Sequence, residues 1–241
     1  MKKNIMGLNI DDVTIQEAID TVYDFTCGEI LKTVYTPNAE IAMTALEDKS
    51  FRVILNKGDL VIPDGAGVVL ASKLVKNPVR QKTAGYDLVL NILKDVRFKG
   101  KTFFLLGAKP KIAELAVENI KSFNPNVNVI GTHHGFFEDS MSDEIINKIN
   151  KLKPDILFVG LGAPRQEKWI DANKHLLKVK VAMGVGGTID GLAGVVKRAP
   201  SIFIKLNLEW FYRLIKQPAR IKRMIKIPVF LFKALTLRSK T

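Results

Sequence analysis

From Lys101 onward the chain alternates short apolar runs with longer helical patterns. KTFFLLG precedes KPKIAELAVENIKSF, NVNVIGTHHG precedes SMSDEIINKINKL, PDILFVGLG precedes APRQEKWIDANKHLL, and VKVAMGVGG closes the series. Consecutive strands separated by helices pair in parallel through right-handed crossovers, with helices covering the sheet. The alternation therefore predicts an α/β fold, a Rossmann-like and mostly parallel sheet with helices on both faces. The N-terminal part reads similarly: a strand near residues 3–8, a helix over about 14–26, a strand ending in TVYTPN, and two short helices before VIPDGAGVVLAS. At 241 residues and 47% hydrophobic content the chain can bury a substantial core.

Charge divides the chain where the alternation stops. Residues 197–241 hold twelve of the 37 Lys and Arg but only one acid, Glu209, a net charge of +11. The remaining 25 basic and 23 acidic residues leave residues 1–196 almost neutral, at +2. We accordingly expect an α/β core over 1–196 and a basic, helical appendage over 197–241. The first residues, MKKNIMGLNIDDVTIQEAI, meet Asp11, Asp12 and Glu17 before any apolar region develops, so they do not read as a secretory signal. The longest apolar run near the C-terminus, IPVFLF, is far short of the ~20 residues that span a bilayer. Cys27 is the only cysteine and the three histidines lack zinc spacing, which points to a reducing compartment and to no metal site.

The strand ends carry the chemistry. They read Thr36-Pro37-Asn38, Asp64-Gly65, Gly107-Ala108, residues 131–135, Gly160-Leu161-Gly162 and Gly184-Val185-Gly186-Gly187, and ligands of parallel sheets bind beyond these carboxyl ends. Glycine beside a helix start favours an anion, so a phosphate-bearing ligand fits. GLGAPR and GVGGTI each lack the third glycine of a dinucleotide fingerprint, and no P-loop occurs. Without an Asp-x-Asp pair to hold Mg²⁺, a departing diphosphate would depend on side chains and helix dipoles. Pro63-Asp64-Gly65 suits an ordinary turn, but it also leaves a carboxylate uncovered at a strand end.

TPN (36–38), PDGAGVV (63–69), AGYDL (84–88), GLGAPRQEKW (160–169), GVGGTIDGLAGVVKRAP (184–200) and LEWFYRLIKQPARIKR (208–223) together resemble the ordered motifs of the WecG/TagA/CpsF glycosyltransferases, and most closely their N-acetylmannosaminyltransferase branch. The resemblance spans nearly the whole chain. It implies inverting transfer of N-acetylmannosamine from UDP-ManNAc to the 4-hydroxyl of GlcNAc on undecaprenyl diphosphate, a β-1,4 linkage made early in wall teichoic acid synthesis, with no cofactor. It makes Asp64 the catalytic base. Inversion by single displacement needs one carboxylate to take the acceptor proton, and general-base help is worth about 10²–10⁴-fold.

Other roles follow from the same resemblance. Thr36 and Asn38 would orient the donor or the base, although Thr-Pro-Asn is also a common turn. Lys82 stands where the family usually has arginine and would meet the diphosphate as a point charge without a bidentate fork. Gln166 would touch sugar or phosphate, or else be a solvated first-turn residue. Gly186, Gly187 and Asp190 would frame the nucleoside, with Asp190 accepting from ribose or uracil or simply making a turn.

In the tail, Arg213, Lys216, Arg220 and Arg223 repeat at helical spacing, with Pro218 forcing a break, and Ile221, Met224, Ile225, Val229, Phe230 and Phe232 lie opposite. The pattern suits a segment lying in an anionic membrane interface, where each basic residue contributes about 1 kcal/mol. We expect this tail to dock on the cytoplasmic leaflet while Arg213, Arg220 and Arg223 grip the acceptor diphosphate. The expected location is thus cytoplasmic and peripheral on the inner face of the cell membrane. A different donor, UDP-ManNAc uronic acid or UDP-glucose, remains open, as does a homo-oligomer. Nucleic-acid binding by the tail is the rival from another class, but it leaves Asp64 and the glycine strand ends without a purpose.

Overall fold

The computed structural model describes residues 1–206, 208–216, 218 and 221–238. The chain opens with β1 (Lys2–Ile5) and β2 (Leu8–Asp11), an antiparallel hairpin. The sequence had suggested one strand across residues 3–8; instead the chain reverses at Met6 (φ 54°) and Gly7 (φ 89°). Two consecutive positive φ values give the turn whose twist matches paired strands, and the Gly7 N–H donates to Asn4 Oδ1 across it. The apolar run hid this turn because methionine is not a turn-forming residue.

The following elements are α1 (Ile15–Cys27), β3 (Lys32–Tyr35), α2 (Ala39–Glu47), α3 (Lys49–Asn56), β4 (Leu60–Val61), α4 (Ala66–Leu74) and α5 (Gly85–Lys94). Next come β5 (Thr102–Gly107), α6 (Ile112–Phe123), β6 (Asn128–His133), α7 (Ser142–Leu152), β7 (Ile156–Gly160), α8 (Arg165–Asn173), β8 (Val181–Gly184) and α9 (Thr188–Leu192). The basic segment forms α10 (Ser201–Lys205), α11 (Glu209–Lys216), α12 (Ile221–Met224) and α13 (Lys226–Arg238). Local chemistry sets several starts. Thr14 and Glu17 form a reciprocal capping box on α1, while Asn38 and Asp48 accept from the first turns of α2 and α3.

Strands β3 to β8 form one six-stranded sheet in the order β4-β3-β8-β7-β5-β6, every pair parallel. Alternation along the strands sends Tyr35, Phe104, Leu106, Leu157, Val159 and Ala182 to one face, under α2, α4, α7, α8 and α13. Val34, Phe103, Leu105, Ile156, Phe158 and Met183 go to the other, under α1, α5, α6 and α9. Helices thus cover both faces, as the strand-helix alternation requires. Burying each large apolar side chain contributes about 1.5–3 kcal/mol, and two filled faces secure the strand ends between them.

The last helix joins this core. Phe230 (1% exposed) and Ala234 (0%) belong to the first face cluster, and Ile227 lies beside Gly67, where a Cβ would come within 2.7 Å of the Ala39 Cβ. Gly67 therefore lets α4 and α2 approach closely, with α13 laid across them. Lys226 Nζ donates to Thr44 Oγ1 and fixes the start of α13 on α2. Of the six apolar tail residues singled out from the sequence, Met224 and Phe230 are buried, whereas Ile221, Ile225, Val229 and Phe232 face outward.

This packing separates two neighbouring phenylalanines. Phe230→Ala should lower stability by about 3–5 kcal/mol, and Phe232→Ala, at a site 66% exposed, by less than about 0.5 kcal/mol. Urea unfolding of both variants measures the contrast; equal losses would mean that α13 does not rest on α2 and α4.

Candidate active site

Parallel pairing places the ends of β3, β4 and β8 side by side. Val34 is in register with Leu60 on one flank and Met183 on the other, so residues 36–38, 62–65 and 184–187 leave from the same edge. Asp64 lies just beyond β4, its backbone N–H donating to the Pro37 carbonyl at 3.1 Å. Gly65 then takes φ 84°, a left-handed conformation that turns the chain into α4 at little cost only for glycine. A Cβ on Gly65 would face the Asn38 Cβ at 3.9 Å, so Asn38 and the Asp64 turn are direct neighbours. The Asn38 Oδ1 accepts from the Ile41 N–H at 2.9 Å and caps α2.

Thr36 is buried, and its hydroxyl donates to the Gly184 carbonyl at 3.4 Å, a long bond that bridges β3 to the turn after β8. Gly85, opening α5, packs against Thr36 closely enough that a Cβ there would lie 3.0 Å from its Oγ1. Lys82 is half-buried. The next residue, Thr83, ties its N–H to the Pro63 carbonyl at 3.0 Å and its hydroxyl to Val13, which holds the Lys82 segment against the Asp64 turn. The structure thus brings Thr36, Asn38, Asp64 and Lys82 to one corner of the sheet.

Across β8 the strand ends form a crest of backbone. A Cβ on Gly107 would lie 2.6 Å from the Gly160 carbonyl, and one on Gly160 would lie 2.8 Å from the Gly186 carbonyl. Only glycine permits β5, β7 and the turn after β8 to approach this closely. Gly162 (φ 78°) and Gly186 (φ 52°) both have open space where a side chain would be, so the crest has an accessible rim. Asp190 is half-buried on α9, with its carboxylate toward Gly187.

Gln166 is neither solvated nor at the rim. It is 2% exposed; its Oε1 accepts from the Gly186 N–H at 3.0 Å, and its Nε2 donates to Glu167 Oε1 at 2.8 Å. The amide sits behind the 184–187 turn and holds it. Arg213 and Arg223 fall on α11 and α12, with side chains outside the described ones, and Arg220 lies outside the described residues.

Two groups stand out in the structure that residue patterns had not separated. Arg198 pairs with Asp87 at 2.6 Å and lies over the Tyr86 ring at 5.1 Å, while Tyr86 fills the space beside Gly191. The arginine thereby links the start of the basic segment to α5 and α9. Glu167 is the other, since its neighbour in QEK gives no sign that a carboxyl there is buried. Among the described residues no three His, Cys, Asp or Glu side chains converge to hold a metal ion. A concavity of about 150 Å³ lined by Ile92, Phe98, Phe103 and Val127 lies at the amino ends of β5 and β6, the opposite edge from these groups.

The motifs that shape this edge recur in known proteins. The model of the family described as Glycosyl transferase WecG/TagA/CpsF matches residues 3–241. N-acetylglucosaminyldiphosphoundecaprenol N-acetyl-beta-D-mannosaminyltransferase of Bacillus subtilis (strain 168) is 40% identical over 228 residues, which cover 94% of this chain and 87% of that one. The protein of the same name from Bacillus spizizenii is 39% identical over 197 residues, 82% and 76% of the two chains. That from Staphylococcus aureus (strain MRSA252) is 34% identical over 234 residues, 96% and 91%.

Burial pushes the Glu167 carboxyl up to about 7, against a smaller lowering by its bond from Gln166. The same carboxyl, with Asp171, helps burial to push the Tyr35 phenol upward. A raised carboxyl keeps its proton in the folded chain after the unfolded chain has lost it, so stability falls as pH rises from 4.5 to about 7 and then levels off. The change is of order 3 kcal/mol. Urea unfolding at pH 5 and pH 8 should show this loss in the parent and not in Glu167→Gln; identical pH slopes would place the carboxyl in water.

Proposed function

The chain belongs to the WecG/TagA/CpsF family of glycosyltransferases, and from that premise we propose that it transfers N-acetylmannosamine from UDP-ManNAc to the 4-hydroxyl of GlcNAc on undecaprenyl diphosphate. The product is the β-1,4-linked disaccharide lipid of the wall teichoic acid linkage unit. The names of the relatives, which specify this sugar and this lipid acceptor, support the substrates. One observation carries the chemistry: Asp64, Asn38, Thr36 and Lys82 meet at the carboxyl edge of the sheet, beside the open glycine turn after β8.

The division of labour follows from position. Asp64 takes the proton of the acceptor hydroxyl as its oxygen attacks the anomeric carbon, and the diphosphate leaves from the opposite side of that carbon. Lys82, on the segment tied to Pro63, offsets the charge developing on the leaving group. The 184–187 turn supplies an approach free of side chains at Gly186 and Gly187, and Asp190 accepts from the nucleoside. Thr36 and Asn38 hold the floor of the corner. The names of the relatives, which specify N-acetylmannosamine and not its uronic acid, favour this donor.

The tail brings the enzyme to its lipid. No helix among the described residues is long and apolar enough to cross a membrane. Ile202, Leu206, Trp210, Phe211, Ile215, Ile225 and Phe232 are nevertheless exposed on the segment that carries most of the net charge. Apolar groups beside lysine and arginine suit the interface of an anionic bilayer, and nucleic acid has no use for the aliphatic ones. Arg213, Arg220 and Arg223 then lie within the segment that meets the acceptor diphosphate.

Radiolabelled UDP-sugars and a lipid-diphosphate-GlcNAc analogue test the reaction. Asp64→Asn should lower kcat by about 10²–10⁴-fold while UDP still binds, and an unimpaired variant would remove Asp64 from the base role. Liposome sedimentation tests the docking. Replacing Ile225 and Phe232 together by serine should weaken binding to anionic vesicles several-fold; undiminished sedimentation, or tighter binding of random DNA than of vesicles, would contradict it.

A further inference from the structure

A carboxamide is chemically two-ended, and its surroundings decide which end points where. Gln166 sits with Nε2 toward Glu167 Oε1 at 2.8 Å and Oε1 toward the Gly186 N–H at 3.0 Å. Turned over, it would set its NH₂ against the Gly186 N–H and its carbonyl against a carboxyl oxygen, donor on donor and acceptor on acceptor. The ionised Glu167 and the Gly186 N–H therefore select the same orientation, and the carboxylate anchors the Nε2 end of the amide whose other end accepts at Gly186. Nothing steric does this for the turn, because Gly186 at φ 52° has open space on its side-chain side.

The arrangement carries a cost that packing alone does not explain. Glu167 is 1% exposed and its Oε2 has no hydrogen-bond partner, so a carboxyl has been desolvated for the sake of one of its oxygens. The slot is tight as well: a Cβ on Gly184 would stand 3.0 Å from Gln166 Nε2. β7 and β8, which lie beside α8, carry no ionisable residue, and Tyr35 of β3 is the titratable group that feels the Glu167 charge.

We propose that Glu167 is a positioning residue for the donor site: it orients the Gln166 amide so that this amide holds the Gly186 N–H and keeps the 184–187 turn shaped for the diphosphate of a UDP-sugar. The inference rests on the reading that this turn receives the donor. Glu167 touches neither substrate nor reacting atoms, so its loss should appear in nucleotide affinity and in KM for the donor, with kcat at saturating donor much less affected.

The test uses the full chain and UDP as the probe. Glu167→Met fills the same space without an acceptor; it should raise the UDP Kd roughly tenfold, the loss of one positioned hydrogen bond, and speed amide hydrogen exchange at Gly186. Glu167→Gln keeps an acceptor oxygen and should recover most of both. Gly184→Ala, which presses on Gln166 Nε2 with Glu167 intact, should reproduce the pairing of faster Gly186 exchange and weaker UDP binding, and it decides the matter if Glu167→Met does not fold. A parent that fails to bind UDP would overturn the donor-site reading and this inference with it. A parent that binds UDP, with Glu167→Met or Gly184→Ala matching it in affinity and in Gly186 exchange, would overturn the inference alone.

Discussion

The parallel register of β3 between β4 and β8 is the constraint on which the site depends. Val34 lies opposite Leu60 on one side and Met183 on the other, and this single alignment sends the ends of three strands out at one edge. Asp64, Thr36, Asn38 and the glycine turn after β8 come from distant parts of the sequence, yet each is at most four residues beyond a strand of the same sheet. A shift of β3 by one residue would exchange Val34 and Tyr35 between the two apolar faces. The core that fixes the register and the corner that gathers Thr36, Asn38 and Asp64 are thus one structure read at two heights.

Close backbone approach is the second condition, and glycine meets it at the carboxyl edge of the sheet. Gly160 admits the Gly186 carbonyl, and Gly67 admits Ala39 so that α2 and α4 can start side by side. Those two helices begin directly after Asn38 and Gly65, and α13 lies across both of them through Phe230. The basic segment therefore supports the Asp64 corner by packing, whatever its outer face binds. One helix serves both surfaces: Phe230 turns inward and Phe232, two residues on, turns outward.

Much of this was legible in the residues. The repeated strand-helix alternation fixed the sheet and its covering, because a parallel strand buried on both faces must be apolar throughout and must be followed by a helix. The strand-end turns marked the edge, since the loops that follow parallel strands leave from one side of the sheet, while the role expected of Asp64 came from the family resemblance and not from its turn. Three features escaped. The Met6-Gly7 reversal was masked by an apolar side chain in a position that usually holds asparagine or glycine. The depth of Gln166 and Glu167 could not be read because a first helical turn of R-Q-E-K looks solvated; Gln166 is covered by the turn after β8, more than fifteen residues away in sequence, and Glu167 is buried beside it. The packing of α13 was obscured because its residues alternate between core and outside without a clean apolar stripe, and partners on α2 and α4 decide which side is covered.

The proposed reaction requires the Asp64 corner and the glycine turn to hold the same molecule. A crystal structure with UDP-ManNAc bound measures this directly. The diphosphate should lie along the 184–187 turn with the anomeric carbon beside Asp64, leaving room for an acceptor oxygen about 3–3.5 Å from that carbon and within hydrogen-bond reach of the carboxylate. A sugar nucleotide seated at the amino edge of the sheet, or at the glycine turn with its sugar directed away from Asp64, would contradict it.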